Sequence, residues 1–257
     1  MIELKDITKI YNPGKVTEMC LFDKFNLNIK DREFVSIVGS NGSGKTSLLN
    51  IICGSIPLEG GAVIMDGKNI NKLSEHQRYR KIGRVYQDPA KGTCPHMTML
   101  ENLSLADNKG KPFGLSFGVN KKREEFYKEQ LASLGLGLEN KMNVKVGELS
   151  GGQRQAVALV MATLTPIDFL ILDEHTAALD PKTAEIIMEL TGKVVKEKNL
   201  TAMMVTHNLR YAVEYGNRLL MMDKGNIILD KADKEKENVS MDDILKIFNE
   251  ISIECGN

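Results

Sequence analysis

The segment GSNGSGKT, Gly39 to Thr46, constrains this chain more than any other, because a β-type run precedes it and a helical pattern follows it. Phe34 to Val38 is apolar and strand-like, while GKTSLLNIIC puts Leu48, Leu49, Ile51 and Ile52 at helical spacing. A strand feeding a glycine-rich loop and then a helix is half of a βαβ unit. The spacing matches GxxxxGK[ST], whose physics is phosphate binding: backbone N–H groups wrap the anion and the helix N-terminus adds positive potential. Gly39, Ser40, Asn41, Gly42, Ser43 and Gly44 make the loop, Lys45 reaches the β and γ phosphates, Thr46 holds Mg²⁺, and Ser47 follows in the first turn.

The rest of the chain narrows what this loop serves. Its 257 residues suit one large domain with a subdivided interior. With 34 basic against 34 acidic side chains there is no global field to draw nucleic acid, and no nucleic-acid partner is expected. Cys20, Cys53, Cys94 and Cys255 form no C-x-x-C pair, which argues against a zinc site or a disulfide framework and for a reducing compartment. No apolar run approaches the roughly 20 residues that cross a bilayer, so work at a membrane requires another chain to span it.

Strands are expected at Ile2 to Ile10, Phe34 to Val38 and Ala62 to Met65, then a stretch of helices from about Pro89 to Ala158, including Lys121 to Leu134 and loops such as PFGLSFG. Alternation then resumes: strand Phe169 to Leu172, helix Lys182 to Lys198, strand Ala202 to Thr206, helix Leu209 to Tyr215, and runs at Arg218 to Met222 and Asn226 to Leu229. This is an α/β pattern with a mainly parallel sheet. KADKEKENVS, Lys231 to Ser240, reads as a charged linker before an amphipathic helix from Met241 to Ile251. There is no internal repeat, hence one nucleotide-binding unit per chain.

Two further constellations carry chemistry. Phe169-Leu-Ile-Leu-Asp173-Glu174 is a buried strand delivering two carboxylates to its C-terminal tip, where ligands bind in open α/β sheets. Asp173 fits a Mg²⁺ ligand through water, and Glu174 a general base for an attacking water. Leu149-Ser-Gly-Gly-Gln153 precedes a helix expected from Gln155 to Leu164 and makes a second anion-binding helix start. One chain thus offers two phosphate-grasping devices.

In this order the motifs resemble the ABC ATPase superfamily over nearly the whole chain, with LSGGQ the specific element. The resemblance implies a P-loop NTPase core with an N-terminal antiparallel β subdomain and an inserted α-helical subdomain. Core residues 1–87 and 156–230, a helical subdomain at about 88–155 and a C-terminal linker and helix at 231–257 would form a single domain. It also implies a head-to-tail dimer with ATP between the phosphate loop of one subunit and Ser150, Gly152 and Gln153 of the other. Tyr11 sits where the family stacks an aromatic on adenine. Gln87 in VYQDP resembles the glutamine that contacts Mg²⁺, Asp180 in AALDP a dimer contact, and His207 in MVTHN the histidine that bonds the γ-phosphate. The implied cofactors are ATP and Mg²⁺.

His175 stands where relatives usually carry proline, and is expected to be a tolerated loop substitution, with a place lining the site as the alternative. The strings DEHTAALDPKTA, GTCPHMTMLENLSLA and GNRLLMMDKG resemble a bacterial importer branch of tryptophan/tyrosine or other small-solute type. That branch implies separate transmembrane permease subunits, an extracytoplasmic solute-binding protein and a place at the cytoplasmic face of the membrane, while the one complete motif set favours two identical ATPase chains over a heterodimer. The permease would meet the segment Cys94 to Leu105, with Met97, Met99 and Leu100 as the apolar group. A soluble, non-transport ABC ATPase such as one for iron–sulfur-cluster assembly is the alternative.

Overall fold

The computed structural model describes residues 1–111 and 118–254, which fall into two compact units, residues 1–79 with 199–257 and residues 80–198. The expected PFGLSFG loop, apart from Gly118, and Cys255 lie outside the described residues. The two units part at 79/80 and 198/199, and the acidic strand lies in the second of them.

In the first unit, β1 (Ile2–Tyr11), β2 (Met19–Ile29), β4 (Gly60–Met65) and β5 (Lys68–Asn69) form an antiparallel sheet in the order β2-β1-β4-β5. Leu4 lies opposite both Leu27 and Val63, and all three are buried. The strand β2 is absent from the sequence expectation because Asp23 and Lys24 interrupt its apolar pattern. The pairing absorbs them in a register shift with Lys24 at φ 50°.

The other sheet strands of this unit centre on β3 (Phe34–Gly39), buried at every position, as a strand with parallel neighbours on both sides should be. It pairs in parallel with β8 (Thr201–Val205) and β9 (Arg218–Asp223), and β10 (Asn226–Ala232) returns antiparallel to β9. Helix α1 (Lys45–Cys53) leaves β3 through the loop and ends at Gly54, whose φ of 82° suits glycine. From α2 (Glu75–Arg78), the buried Arg78 donates to the Ile51 and Ile52 carbonyls at 2.8 and 3.0 Å, supplying positive charge to the negative end of α1. Beyond α7 (Leu209–Glu214), α9 (Met241–Glu254) packs Ile244, Ile247 and Phe248 against Val38, Ala212, Leu219 and Met221.

The expected linker from Lys231 to Ser240 is corrected by the structure. Lys231 and Ala232 complete β10, and α8 (Asp233–Glu237) follows directly. Charge density suggested solvation, but Lys236 is only 4% exposed and donates to the Tyr215 and Gly216 carbonyls, both at 2.6 Å. Burial pushes its pKa down to about 8. The unfolded chain, with a lysine pKa near 10.4, then holds this proton where the folded protein has released it. Stability therefore rises as pH climbs from about 8 towards 10.4, by at most about 3 kcal/mol from this residue. Lys109, which donates to the Ile82 carbonyl, is also pushed down to about 8 by burial. Urea midpoints of Lys236→Met and the unmodified protein at pH 7.5 and 10 separate the two, and the variant's rise should be the smaller.

In the second unit, β6 (Ile82–Val85) and β7 (Phe169–Asp173) pair in parallel, with Val85 opposite Leu172. Around them lie α3 (Met99–Asp107), α4 (Glu124–Ala132), α5 (Gly151–Thr163) and α6 (Pro181–Glu197). At Gly83 an added Cβ would come within 2.5 Å of the Ala162 carbonyl, so glycine permits the close crossing of β6 and α5. Met99 and Leu100, expected in a permease-facing apolar group, are 0% and 7% exposed and belong to the core of this unit.

Candidate functional site

In the first unit the loop Gly39–Thr46 is shaped by its glycines and anchored from two sides. Gly42 and Gly44 have φ of 80° and 105°, which side chains rarely adopt. A Cβ on Gly39 would lie 2.2 Å from the Met222 carbonyl, so the loop leaves β3 in close contact with β9. The Ser40 hydroxyl donates to Asp223 Oδ1 at 2.9 Å, and the Gly225 amide to the Ser43 carbonyl at 3.0 Å. The turn between β9 and β10 therefore braces the loop. Asp223 was missed by sequence reasoning, since nothing local links residues 183 positions apart.

Lys45 is buried, its Nζ donating to the Gly39 and Ser40 carbonyls at 2.8 Å each. Asn41, Gly42 and Thr46 are exposed, and α1 carries no side-chain cap at Gly44. The first amides of a helix have no intrahelical partner, so this helix start presents N–H groups and positive potential beside a lysine and a hydroxyl. Those are the donors a polyphosphate requires. Tyr11, at the end of β1, shares a hydrogen bond of 2.9 Å with Ser47 Oγ, which sets its half-buried ring against the first turn of α1. His207 is exposed two residues beyond β8, and the parallel pairing of Ile37 with Val205 brings it out at the same sheet edge as the phosphate loop.

In the second unit the parallel pairing of β6 and β7 sends Gln87 and the pair Asp173 and Glu174 to one edge. Gln87 is exposed, and Gln155 of α5 donates to the carbonyl of the preceding residue, Tyr86, at 2.9 Å. Asp173 accepts from Arg84 Nη2 at 2.6 Å, with side-chain exposures of 15% and 7%, and the guanidinium also lies over the Tyr86 ring. Such a pair orients the carboxylate, and losing one partner would leave a buried charge uncompensated. Arg84 too was missed, because only the strand register brings it to Asp173. Glu174 has φ 47°, a left-handed conformation unusual for a residue with a side chain.

His175, expected as a tolerated loop residue, is instead 2% exposed, its Nε2 3.1 Å from Thr191 Oγ1 on α6. Burial pushes its pKa down to about 4, so the ring is neutral at ordinary pH. Asp180 caps α6 by accepting from the Thr183 amide at 3.1 Å, and bonds from Thr183 hold its carboxyl below the usual range.

The second anion-binding device is a capping box. Ser150 Oγ accepts from the Gln153 amide and Gln153 Oε1 accepts from the Ser150 amide, both at 3.3 Å. Helix α5 therefore begins at Gly151, not Gln155, because the serine cap converts the glycine pair into its first turn. The box leaves the Ser150 hydroxyl proton able to donate, and the Gly151 and Gly152 amides precede any intrahelical partner. A Cβ on Gly152 would lie 2.2 Å from Thr183 Cγ2, so glycine lets α5 start against α6.

Thr46 in the first unit, and Gln87 and Asp173 in the second, each carry the kind of oxygen donor that a hard cation such as Mg²⁺ prefers. No group of three His, Cys, Asp or Glu side chains able to hold a metal occurs among the described residues, so a dedicated all-protein cage is not offered there.

Comparison with known proteins agrees with these features. Residues 22–177 match the family described as ABC transporter. The chain is 46% identical to a tyrosine transport ATP-binding protein of Clostridioides difficile, covering 96% of this chain and 98% of that protein. It is 32% identical to the methionine import ATP-binding protein MetN of Bartonella henselae, over 89% of this chain and 64% of that one. The solved dimeric structure of the ATP-binding cassette MJ0796 in a post-hydrolysis state with ADP and Pi superposes with a TM-score of 0.76 at 34% identity, covering 90% of this chain and 98% of that one.

Proposed function

Because the chain belongs to the ABC transporter family of ATP-binding proteins, we propose that it energises a membrane importer of a small solute such as an amino acid, closing head to tail on a second copy of itself when ATP binds. The chain is an ATP-binding subunit and an ATPase, with the P-loop cassette fold of its structural neighbours. The observation that carries the proposal is the capped helix start at Ser150, a phosphate-binding device additional to the loop at Gly39–Thr46. Two such devices serve a single phosphate group when they approach it from different subunits. The solved relative described as dimeric with ADP and Pi supports that arrangement.

Each residue then has a role within one domain, with core 1–87 and 156–230, helical subdomain 88–155 and C-terminal region 231–257. Tyr11 stacks on adenine, the amides from Gly39 to Ser47 wrap the phosphates, and Lys45 turns from the loop carbonyls to the β and γ phosphates. Thr46, Gln87 and Asp173 would hold Mg²⁺, which neutralises phosphate charge when bound. Glu174 takes a proton from the attacking water, His207 donates to the γ-phosphate, and Ser150, Gly152 and Gln153 reach the nucleotide of the partner subunit. Little covalent chemistry is asked of the protein, so rate comes from position and charge.

No helix among the described residues is long and apolar enough to cross a membrane, so the proposed transporter needs separate permease subunits, and an extracytoplasmic solute-binding protein would deliver the solute. They would hold this subunit at the cytoplasmic face. With Met99 and Leu100 in the core, the permease would meet the exposed Cys94, His96 and Leu105 and the half-buried Met97. Affinity purification from detergent-solubilised native membranes tests the proposal. A membrane-spanning chain should co-purify and the complex should hydrolyse ATP; recovery of an active ATPase always without one would end the transporter reading.

A further inference from the structure

We propose that His175 is a positioning residue for Glu174, holding the backbone turn that aims the carboxylate without itself touching nucleotide. The inference rests on the assignment of Glu174 as the base. Its ground is the φ of 47° at Glu174, a conformation that costs a side-chain-bearing residue of order 1 kcal/mol or more and persists only where the surroundings fix it from both sides. Upstream, β7 is buried through Leu172 and Asp173 is clamped by Arg84. Downstream, the Ala177 amide donates to the Glu174 carbonyl at 3.0 Å, closing a turn. Of the two buried side chains within that turn, His175 is the more deeply placed, at 2% exposure against 8% for Thr176.

The imidazole supplies the anchor. Thr191 is fully buried in the body of α6, and its hydroxyl donates to the Ile187 carbonyl at 2.7 Å. Its proton is thus committed, so Thr191 Oγ1 accepts and His175 donates through Nε2–H, leaving Nδ1 unprotonated. A neutral donor and a neutral acceptor, both buried, cost little desolvation and give one defined geometry. The helix that receives the bond is itself fixed at its start by the Asp180 cap. Glu174 therefore lies between a clamped strand end and a side chain bonded to a capped helix. Proline at this position would stiffen the same turn through its ring, whereas histidine does so through a bond at the far end of its side chain.

ATP hydrolysis and equilibrium binding of ATP are measured on the purified full chain for His175→Ala, His175→Gln and Thr191→Val, with Glu174→Gln alongside. Misaiming the base should lower kcat roughly 10²-fold in His175→Ala with ATP affinity and KM held. His175→Gln, which keeps an N–H donor, should recover much of the rate, and the isosteric Thr191→Val should reproduce the loss. In a Glu174→Gln background, His175→Ala should cost nothing further, since the two act as a unit. A folded His175→Ala with normal kcat, a loss of affinity in step with rate, or a silent Thr191→Val overturns the proposal. Should His175→Ala fail to fold, Thr191→Val and His175→Gln decide alone. An active Glu174→Gln removes the base assignment itself, whereas an inactive Glu174→Gln beside a normal His175→Ala removes only this proposal.

Discussion

Glu174→Gln should bind ATP normally, lose hydrolysis by roughly 10²- to 10⁴-fold and accumulate as an ATP-bound dimer. The substitution keeps size and shape, so the left-handed backbone at residue 174 and the burial of His175 beside it are retained. What it removes is the basic carboxylate at the tip of β7. The loop from Gly39 to Thr46 and the capped start of α5 contain none of the altered atoms, so their share of nucleotide binding persists. If ATP closes the dimer and hydrolysis reopens it, a subunit that binds without hydrolysing stays shut. Size-exclusion chromatography with ATP and Mg²⁺ should then show a dimer that the unmodified protein populates only transiently. A variant hydrolysing at the unmodified rate would take Glu174 out of the base role.

The parts of the site legible in the sequence are those whose geometry is written in consecutive residues. Gly42 and Gly44 supply the positive φ of the loop, and four apolar residues before Asp173 bury the strand that ends in it. Each motif carries its own local structure. What stayed hidden depends on register and packing. Arg84 and Asp173 lie 89 residues apart and meet only because β6 and β7 pair in parallel, while β6 itself, four residues with a central glycine, gives almost no periodic signal. His175 reads as a loop substitution because its burial is provided by α6.

The same limit explains the misread C-terminal segment. A run of lysines and acids signals solvent by composition, yet Lys236 is drawn inward by two carbonyls at Tyr215 and Gly216. Ser150, conversely, was read as part of an anion-binding helix start. Its hydroxyl had a second use, as the cap that starts α5 with Gly151 and not at Gln155.

Mixing two inactive variants should restore activity, and this outcome distinguishes a site shared between subunits from one contained in a single chain. Lys45→Ala removes the ammonium that now bonds the Gly39 and Ser40 carbonyls, leaving the loop without its charge for the β and γ phosphates. Ser150→Arg removes the cap of α5 and puts a bulky cation where the helix start should meet a partner's nucleotide. Each variant alone should be nearly inactive. In a head-to-tail mixed dimer, one site combines both lesions, while the other combines the intact loop of the Ser150→Arg chain with the intact α5 start of the Lys45→Ala chain. Equal mixing makes half the dimers mixed, so independent sites would return roughly a quarter of the unmodified rate. If each chain completed its own site, every mixture would remain as inactive as its components. An ATPase assay on the mixture therefore asks directly whether Ser150 serves the nucleotide of its own chain or that of its partner.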